Sequence, residues 1–202
     1  MLVAWFSQNC VREHPKLHRI PIGIDYHTMS RNATSWGPQM DPLDQEALLK
    51  ELNKVHFSQR NLKCYGNFHF SLGHRYAKID RVDALKNIPK ELIDYEEKHC
   101  ERKETWEKMA TYAFVPSPHG NGLDCHRTWE ALALGCIVIV RTSPIDSLYE
   151  DLPVWIVEEW SDITAESMRK TLEAFRRKTF DMSKLELSYW MKKIRYLQNN
   201  KQ

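Results

Sequence analysis

From about residue 62 to residue 160, short apolar runs alternate with amphipathic stretches. Apolar runs rich in β-branched residues are typical of strands buried on both faces, and apolar positions three and four residues apart indicate helices. The predicted strands are LKCYGNFHF, ELIDYEE, AFVPSP, CIVIV and VWIVEE, and the predicted helices are RYAKIDRVDALKNI, RKETWEKMATY, DCHRTWEALALG, TAESMRKTLEAFRRK and SKLELSYWMKKIRYLQ. This order predicts an α/β fold with a Rossmann-like parallel sheet and helices on both faces.

The first 60 residues show a different pattern. They contain a predicted short strand, LVAWFSQ, and a predicted helix, DQEALLKELNKV. Between the two lies a stretch at 16–42 that prolines and glycines interrupt, which favours loops. The sequence therefore predicts two parts, an N-terminal segment at 1–60 and a sheet domain at 61–202.

Composition limits the classes of function. With 29 Lys and Arg against 27 Asp and Glu, the net charge of +2 offers no broad basic field for a nucleic acid. No run approaches the roughly 18 apolar residues of a membrane span. The five cysteines are scattered without a C-x-x-C pair, which argues against a disulfide framework and a structural zinc site. We therefore expect reduced thiols in the cytoplasm, and the NAT sequon at Asn32 leaves the lumen of the secretory pathway as the alternative.

The loop HGNGLDCHR at 119–127 joins a predicted strand to a predicted helix. Gly120 and Gly122 permit positive φ angles and close approach of the backbone, and the first N–H groups of the helix have no partner within it. Ligands of parallel sheets bind beyond the carboxyl ends of the strands. The loop therefore predicts an anion site, and phosphate is the expected guest.

Three other interpretations of this loop are weaker. A P-loop needs a Lys and a Ser or Thr that do not follow the two glycines. A dinucleotide fingerprint needs a third glycine where Cys125 stands, although Arg141 suits a 2′-phosphate, so an NADP-binding protein is kept as an alternative. His119, Cys125 and His126 lack the spacing of metal ligands, so we expect no metal site.

The predicted helix continues the anion site with a polar face. In a helix that begins near Asp124, Arg127 and Glu130 share a face and His126 lies at its edge. A guanidinium there can pair with a diphosphate, and a carboxylate one turn further can accept two hydrogen bonds from a ribose. Two structural alternatives stay open: Asp124 as a helix N-cap, and Arg127 with Glu130 as an exposed ion pair.

The segment FVPSPHGNGLDCHRTWEALALGCIVIV at 114–140 resembles the donor-binding segment of exostosin-like (GT47-type) glycosyltransferases. That family's pattern runs roughly S-P-x-G-x-G-x-D-x-x-R-x-W-E-A-L-x-x-G-C-I-P-V. The matching residues are Ser117, Pro118, Gly120, Gly122, Asp124, Arg127, Trp129, Glu130, Ala131, Leu132, Gly135, Cys136 and Ile137. The sequence departs from the pattern at Val138, where proline is usual, and at His119, where arginine is common.

The resemblance implies the Rossmann-like donor-binding half of a GT-B glycosyltransferase. It implies that Arg127 contacts the diphosphate and that Glu130 contacts the ribose. It also implies that Asn121 and Asp124 either make contacts within the loop or contact the sugar. Gly120, Gly122 and His119 complete the expected binding residues. A weaker resemblance of FSLGHRYAKIDRVDAL to related donor domains adds Arg81 as a diphosphate partner, with Arg75 as second choice.

The expected reaction moves a sugar from a nucleoside-diphosphate sugar, a substrate rather than a cofactor, to a glycan or another hydroxyl acceptor, without a metal. Residues 1–60 resemble the end of an acceptor domain and the crossover from it, so we expect that domain to be reduced, absent or on a separate chain. The catalytic base is unknown; His14, His18, Asp25 and His27 are candidates by position alone. The alternative is a nucleotide-sugar-binding module without catalysis.

Overall fold

The computed structural model describes residues 2–70 and 75–199 and contains two parallel sheets. The smaller sheet pairs β1 (Trp5–Ser7) with β2 (Leu17–Arg19). The main sheet consists of β3 (Asn61–Gly66), β4 (Ile93–Tyr95), β5 (Tyr112–Pro116), β6 (Ile137–Arg141) and β7 (Val154–Val157). All neighbouring strands of the main sheet are parallel, in the order β4-β3-β5-β6-β7. The predicted α/β class with a Rossmann-like sheet is confirmed.

Helices cover both faces of the main sheet. They are α1 (His27–Ser30), α2 (Pro42–Leu52), α3 (Arg75–Asn87), α4 (Arg102–Met109), α5 (His126–Ala133), α6 (Ala165–Arg176) and α7 (Leu187–Asn199). Alternation along β6 directs Val138 and Val140 to the core beneath α2, α4, α5 and α7. It directs Ile137 and Ile139 to the core beneath α3 and α6. A strand with apolar residues on both faces therefore lies between two helical layers, as its sequence predicts.

The N-terminal segment packs against the same core as α4 and α5. Ile20, Ile22 and Ile24 are partly buried there, beside Leu49 of α2. The stretch predicted as a loop contains β2 and the short helix α1, so that prediction was incomplete. Each element is only three or four residues long, so its periodicity is too weak to be recognised among the neighbouring prolines and glycines.

The ends of α5 are sharply defined. The helix begins at His126 with Cys125 at the N-cap, later than the predicted start near Asp124. The helix ends at Ala133, and Gly135 closes it from the predicted C′ position, where a φ of +76° lets the N–H groups of Gly135 and Cys136 return to helix carbonyls. The following strand, β6, therefore begins directly after this turn.

The strand order places a topological switch point between β3 and β5. The chain passes from β3 to β4 on one side, and then returns to form β5 on the other side of β3. Loops that leave neighbouring strands in opposite directions open a crevice at their carboxyl ends. We therefore expect a ligand to bind beside the loops that follow β3 and β5.

All five cysteines are free thiols, and no described helix combines the length and apolarity needed to cross a membrane.

Candidate functional site

A cavity of about 570 Å³ lies at the switch point, and we call it the switch-point cavity. All predicted site residues except His119 line it: Arg81, Gly120, Asn121, Gly122, Asp124, Arg127 and Glu130. The N-terminal segment and α4 add residues to the lining that no binding motif predicted: Asn9, Ile22, Asp25, Trp36 and Arg102. Its volume falls within the range of about 300–1,000 Å³ that small-molecule sites occupy.

The glycine loop is held by an asparagine from the N-terminal segment. Asn9 has a left-handed backbone, with a φ of 51°, and its Oδ1 accepts a 2.8 Å hydrogen bond from the N–H of Asp124. A Cβ atom on Gly122 would lie only 2.4 Å from that Oδ1. Neither Gly120 nor Gly122 has a positive φ, contrary to one of the expected reasons for glycine here. Gly122 is needed instead because Asn9 approaches so closely.

Asp124 is buried and joins the N-terminal segment to α5 through its hydrogen bonds, and it does not cap the helix. It is 2% exposed, and its Oδ2 accepts a 2.6 Å hydrogen bond from the N–H of Ile22. Its Oδ1 accepts a 2.7 Å bond from the indole N–H of Trp129. Burial raises the pKa of Asp124 to about 6 in spite of these hydrogen bonds. The N-cap alternative is wrong, because Cys125 occupies that position.

Two arginines of the cavity have no carboxylate partner. Arg81 is buried and donates to the backbone carbonyls of His119 and His69, while Arg127 donates to the side-chain oxygen of Asn67. Among residues 2–70 and 75–199, neither forms a salt bridge. Burial and the charge of Arg81 lower the pKa of Arg127 to about 10, so it stays charged at neutral pH. Two adjacent, unneutralised guanidinium groups favour an anion between them. The side chain of Arg75, the second choice, lies outside the described residues.

A third arginine of the cavity is fully paired. Arg102 donates to Oε1 of Glu130 over 3.1 Å and to Oδ2 of Asp25 over 3.0 Å. The other oxygen of Glu130 accepts a 3.2 Å bond from the indole N–H of Trp106. Glu130 is 9% exposed, so the alternative of an exposed pair with Arg127 is wrong. The sequence did not indicate Arg102, because a charged residue in the first turn of a helix usually faces solvent.

His119 lies outside the cavity lining. Its backbone N–H donates to Oδ2 of Asp80 over 2.7 Å, and its Nδ1 is 3.4 Å from the same oxygen. Burial lowers the pKa of His119, which keeps the imidazole neutral. The binding role expected for this side chain has no support from its position, because it faces α3.

Arg141, the residue that suited a 2′-phosphate, pairs with carboxylates at the end of β6. It lies 3.0 Å from Asp83 and also contacts Glu159. Its charge is therefore already compensated. Among the residues that the structure describes, no group of three His, Cys, Asp or Glu is arranged to hold a metal ion.

Comparison with protein-family models and with curated proteins found no match for this chain. The fold and the site define it as an α/β protein whose switch-point cavity contains two arginines, Arg81 and Arg127, that form no salt bridge with any described residue. The resemblance of 114–140 to exostosin-like glycosyltransferases stays a prediction.

Proposed function

We propose that this protein binds a nucleoside-diphosphate sugar in the switch-point cavity and transfers the sugar to a hydroxyl group of an acceptor such as a glycan. The observation that carries the proposal is the pair Arg81 and Arg127, two charged guanidinium groups that line one cavity without a carboxylate partner. The backbone of the glycine loop and the N-terminal end of α5 lie beside them, and both favour a diphosphate.

An adjoining cavity supports the nucleoside part of this proposal. It has a volume of about 420 Å³ and shares Trp36 and His69 with the switch-point cavity. Phe68, Phe70 and Tyr95 also line it, so a flat base would find aromatic surface next to the cationic site. Together the two cavities suit a ligand with an anionic part and an aromatic part.

The proposed chemistry needs stabilisation of the leaving group. As the bond between the anomeric carbon and the diphosphate breaks, negative charge accumulates on the diphosphate oxygens. Arg81 and Arg127 would hold those oxygens, and preorganised charges of this kind stabilise a transition state without rearranging. We expect this chemistry to proceed without a metal ion.

Glu130 is the proposed ribose partner and Asn121 a proposed sugar contact. Both oxygens of Glu130 already accept one hydrogen bond from the protein, so a ribose would use the remaining lone pairs. Asn121 is exposed at the edge of the cavity, where the sugar of a bound donor would emerge.

A second candidate function is nucleotide binding without turnover. Both carboxylates of the resemblance, Asp124 and Glu130, are engaged by protein donors, whereas the arginine pair is not neutralised. An anion site can therefore be present without a group that activates an acceptor. Donor hydrolysis distinguishes the two candidates.

The test is a thermal-shift series with UDP, GDP, GMP, NADP and pyrophosphate, followed by hydrolysis assays with UDP-glucose and GDP-mannose. A nucleoside diphosphate at 100 times its Kd should stabilise the protein by about 2.7 kcal/mol. Slow release of free sugar would support transfer, and tight binding without any release would favour the second candidate. Stabilisation by NADP alone would refute both.

Arg127→Gln supplies the matching variant, because glutamine keeps a donor for Asn67 but removes the charge. A charged hydrogen bond contributes about 1.5–3 kcal/mol, so we expect the Kd to rise about ten- to one-hundred-fold. Arg169→Gln, an exposed change on α6, is the control. Equal affinities of the two variants would contradict the assignment of Arg127.

A further inference from the structure

The His27 ring lies against the Asp25 carboxylate at the edge of the switch-point cavity. Asp25 lines the cavity, and its Oδ1 lies 2.9 Å from Nδ1 of His27. The His27 side chain is 76% exposed, so the other face of its ring is open to solvent. Like His14 and His18, His27 is not itself a lining residue, but its ring contacts Asp25 and lies 6.1 Å from the ring of His126, and both of these residues line the cavity.

The Asp25 carboxylate is held in one orientation. It accepts hydrogen bonds from the N–H and the hydroxyl of Thr28, over 3.1 and 2.6 Å, and from Arg102 over 3.0 Å. Burial opposes ionisation, but the bonds from Thr28 and the charge of Arg102 outweigh it and lower the pKa of Asp25. Asp25 is therefore an oriented carboxylate at neutral pH.

This partner determines where His27 carries its proton. A carboxylate accepts hydrogen bonds and does not donate them, so the 2.9 Å contact favours the tautomer of neutral His27 that carries its proton on Nδ1 and leaves the lone pair on Nε2. The pair therefore has the arrangement of a general base and its orienting group.

A second imidazole nearby is less suited to the same role. The ring of His126 lies 6.1 Å from that of His27, and its Nδ1 is 2.7 Å from the carbonyl oxygen of Gly23. His126 is the first residue of α5, and its Nδ1 is already engaged by that backbone carbonyl. Of these two imidazoles, His27 alone has a carboxylate in contact with its ring among the residues that the structure describes.

We propose that His27 is the general base of the transfer reaction and that Asp25 is its positioning residue. This inference rests on the proposed function. The oxygen of the acceptor hydroxyl attacks the anomeric carbon and forms the new C–O bond, while its proton passes to Nε2 of His27. The bond from the anomeric carbon to the diphosphate breaks, and its electron pair leaves with the diphosphate beside Arg81 and Arg127. With water as acceptor, the products are the free sugar and the nucleoside diphosphate.

Hydrolysis of UDP-glucose and GDP-mannose by His27→Gln tests the assignment. Glutamine can donate to Asp25 but cannot accept the proton, so the hydrolysis rate should fall about 10²- to 10⁴-fold. Stabilisation by UDP or GDP should stay at the wild-type level. His14→Gln is the matched control, since His14 is an exposed histidine of the N-terminal segment whose Nδ1 accepts from the N–H of Lys16; it should hydrolyse donors like the wild type.

Chemical rescue separates a base from a structural residue. Free imidazole should restore part of the rate of His27→Ala, and absence of rescue would overturn the role of His27. Asp25→Asn should lower kcat and leave the KM of the donor unchanged. A higher KM would instead show that Asp25 acts by holding Arg102 in the cavity and not by positioning His27.

The outcomes also separate this inference from the proposed function. If UDP or GDP stabilises the wild type and His27→Gln keeps its rate, the inference fails and the proposed function stands. If no nucleoside diphosphate stabilises the wild type, the proposed function fails and the inference falls with it. Binding without any hydrolysis by the wild type would overturn the base assignment and favour the module without turnover.

Discussion

Replacing Asp124 with asparagine should change how the stability of the protein depends on pH. The ordinary pKa of the carboxyl is 3.8, and burial raises it to about 6 in the folded protein. Between these values the folded state binds the proton more tightly than the unfolded chain. The free energy of unfolding contributed by Asp124 therefore falls as the pH rises from about 4 to about 6, and is level above that.

The magnitude follows from the two pKa values. A shift of about two pKa units corresponds to about 3 kcal/mol, and burial of the residue means that solvent screening does not reduce this figure much. Asparagine does not titrate, so the variant lacks the whole contribution. The free energy of unfolding of the wild type, minus that of Asp124→Asn, should therefore fall by about 2.4 kcal/mol between pH 4 and pH 7, with roughly half of the change above pH 5, because part of the full effect is already lost at pH 4.

Urea unfolding at a series of pH values and constant ionic strength measures this difference. The two proteins should show the same m-value, because the change leaves the buried surface nearly intact. Glu91→Gln, a neutralising change at an exposed position, is the control and should follow the wild type. A difference that stays constant from pH 4 to pH 7, or that rises with pH, would refute the reasoning and show that the hydrogen bonds from Ile22 and Trp129 outweigh burial.

Three further predictions concern the same cavity. Gly122→Ala should destabilise the protein by about 1–3 kcal/mol, because the new Cβ meets Asn9, and the loss should shrink in an Asn9→Gly background; equal losses in both would contradict the contact. Arg102→Met should cost about 3–5 kcal/mol by leaving Asp25 and Glu130 unpaired, and replacing both carboxylates by amides should recover much of it in thermal melts. Donor hydrolysis should be unchanged in EDTA, and a loss that Mg²⁺ or Mn²⁺ restores would refute metal-independent chemistry.

Much of the fold could be predicted from the sequence because local pattern and tertiary structure agree. CIVIV has apolar side chains at successive positions, and β6 indeed lies between two helical layers. Gly135 was expected to end α5, and it does so with a positive φ. The short elements β2 and α1 were missed because three or four residues carry too little periodicity to exceed the signal of nearby prolines and glycines.

The candidate site was predicted only where a single continuous segment forms it. The loop at 119–127 and the face of α5 that carries Arg127 and Glu130 both line the cavity. Asn9 and Arg102 come from distant parts of the chain, and no local pattern marks a residue that acts by approaching another element. His119 occupies a motif position where arginine is common, and its side chain turns towards Asp80 of α3, which sequence spacing does not show.

The three arginines of the cavity show why the contacts of a residue, and not its type, decide where an anion can bind. Arg102 forms salt bridges with Asp25 and Glu130, so its charge is already compensated within the protein. Among the described residues, the hydrogen bonds of Arg81 and Arg127 go to neutral oxygen acceptors, and burial together with repulsion from Arg81 lowers the pKa of Arg127. A bound diphosphate would relieve that repulsion as well as form new hydrogen bonds, whereas the same anion near Arg102 would compete with two buried carboxylates. Under the proposed function, the diphosphate would therefore bind beside Arg81 of α3 and Arg127 of α5, and the uncharged acceptor hydroxyl would approach His27 beside Asp25.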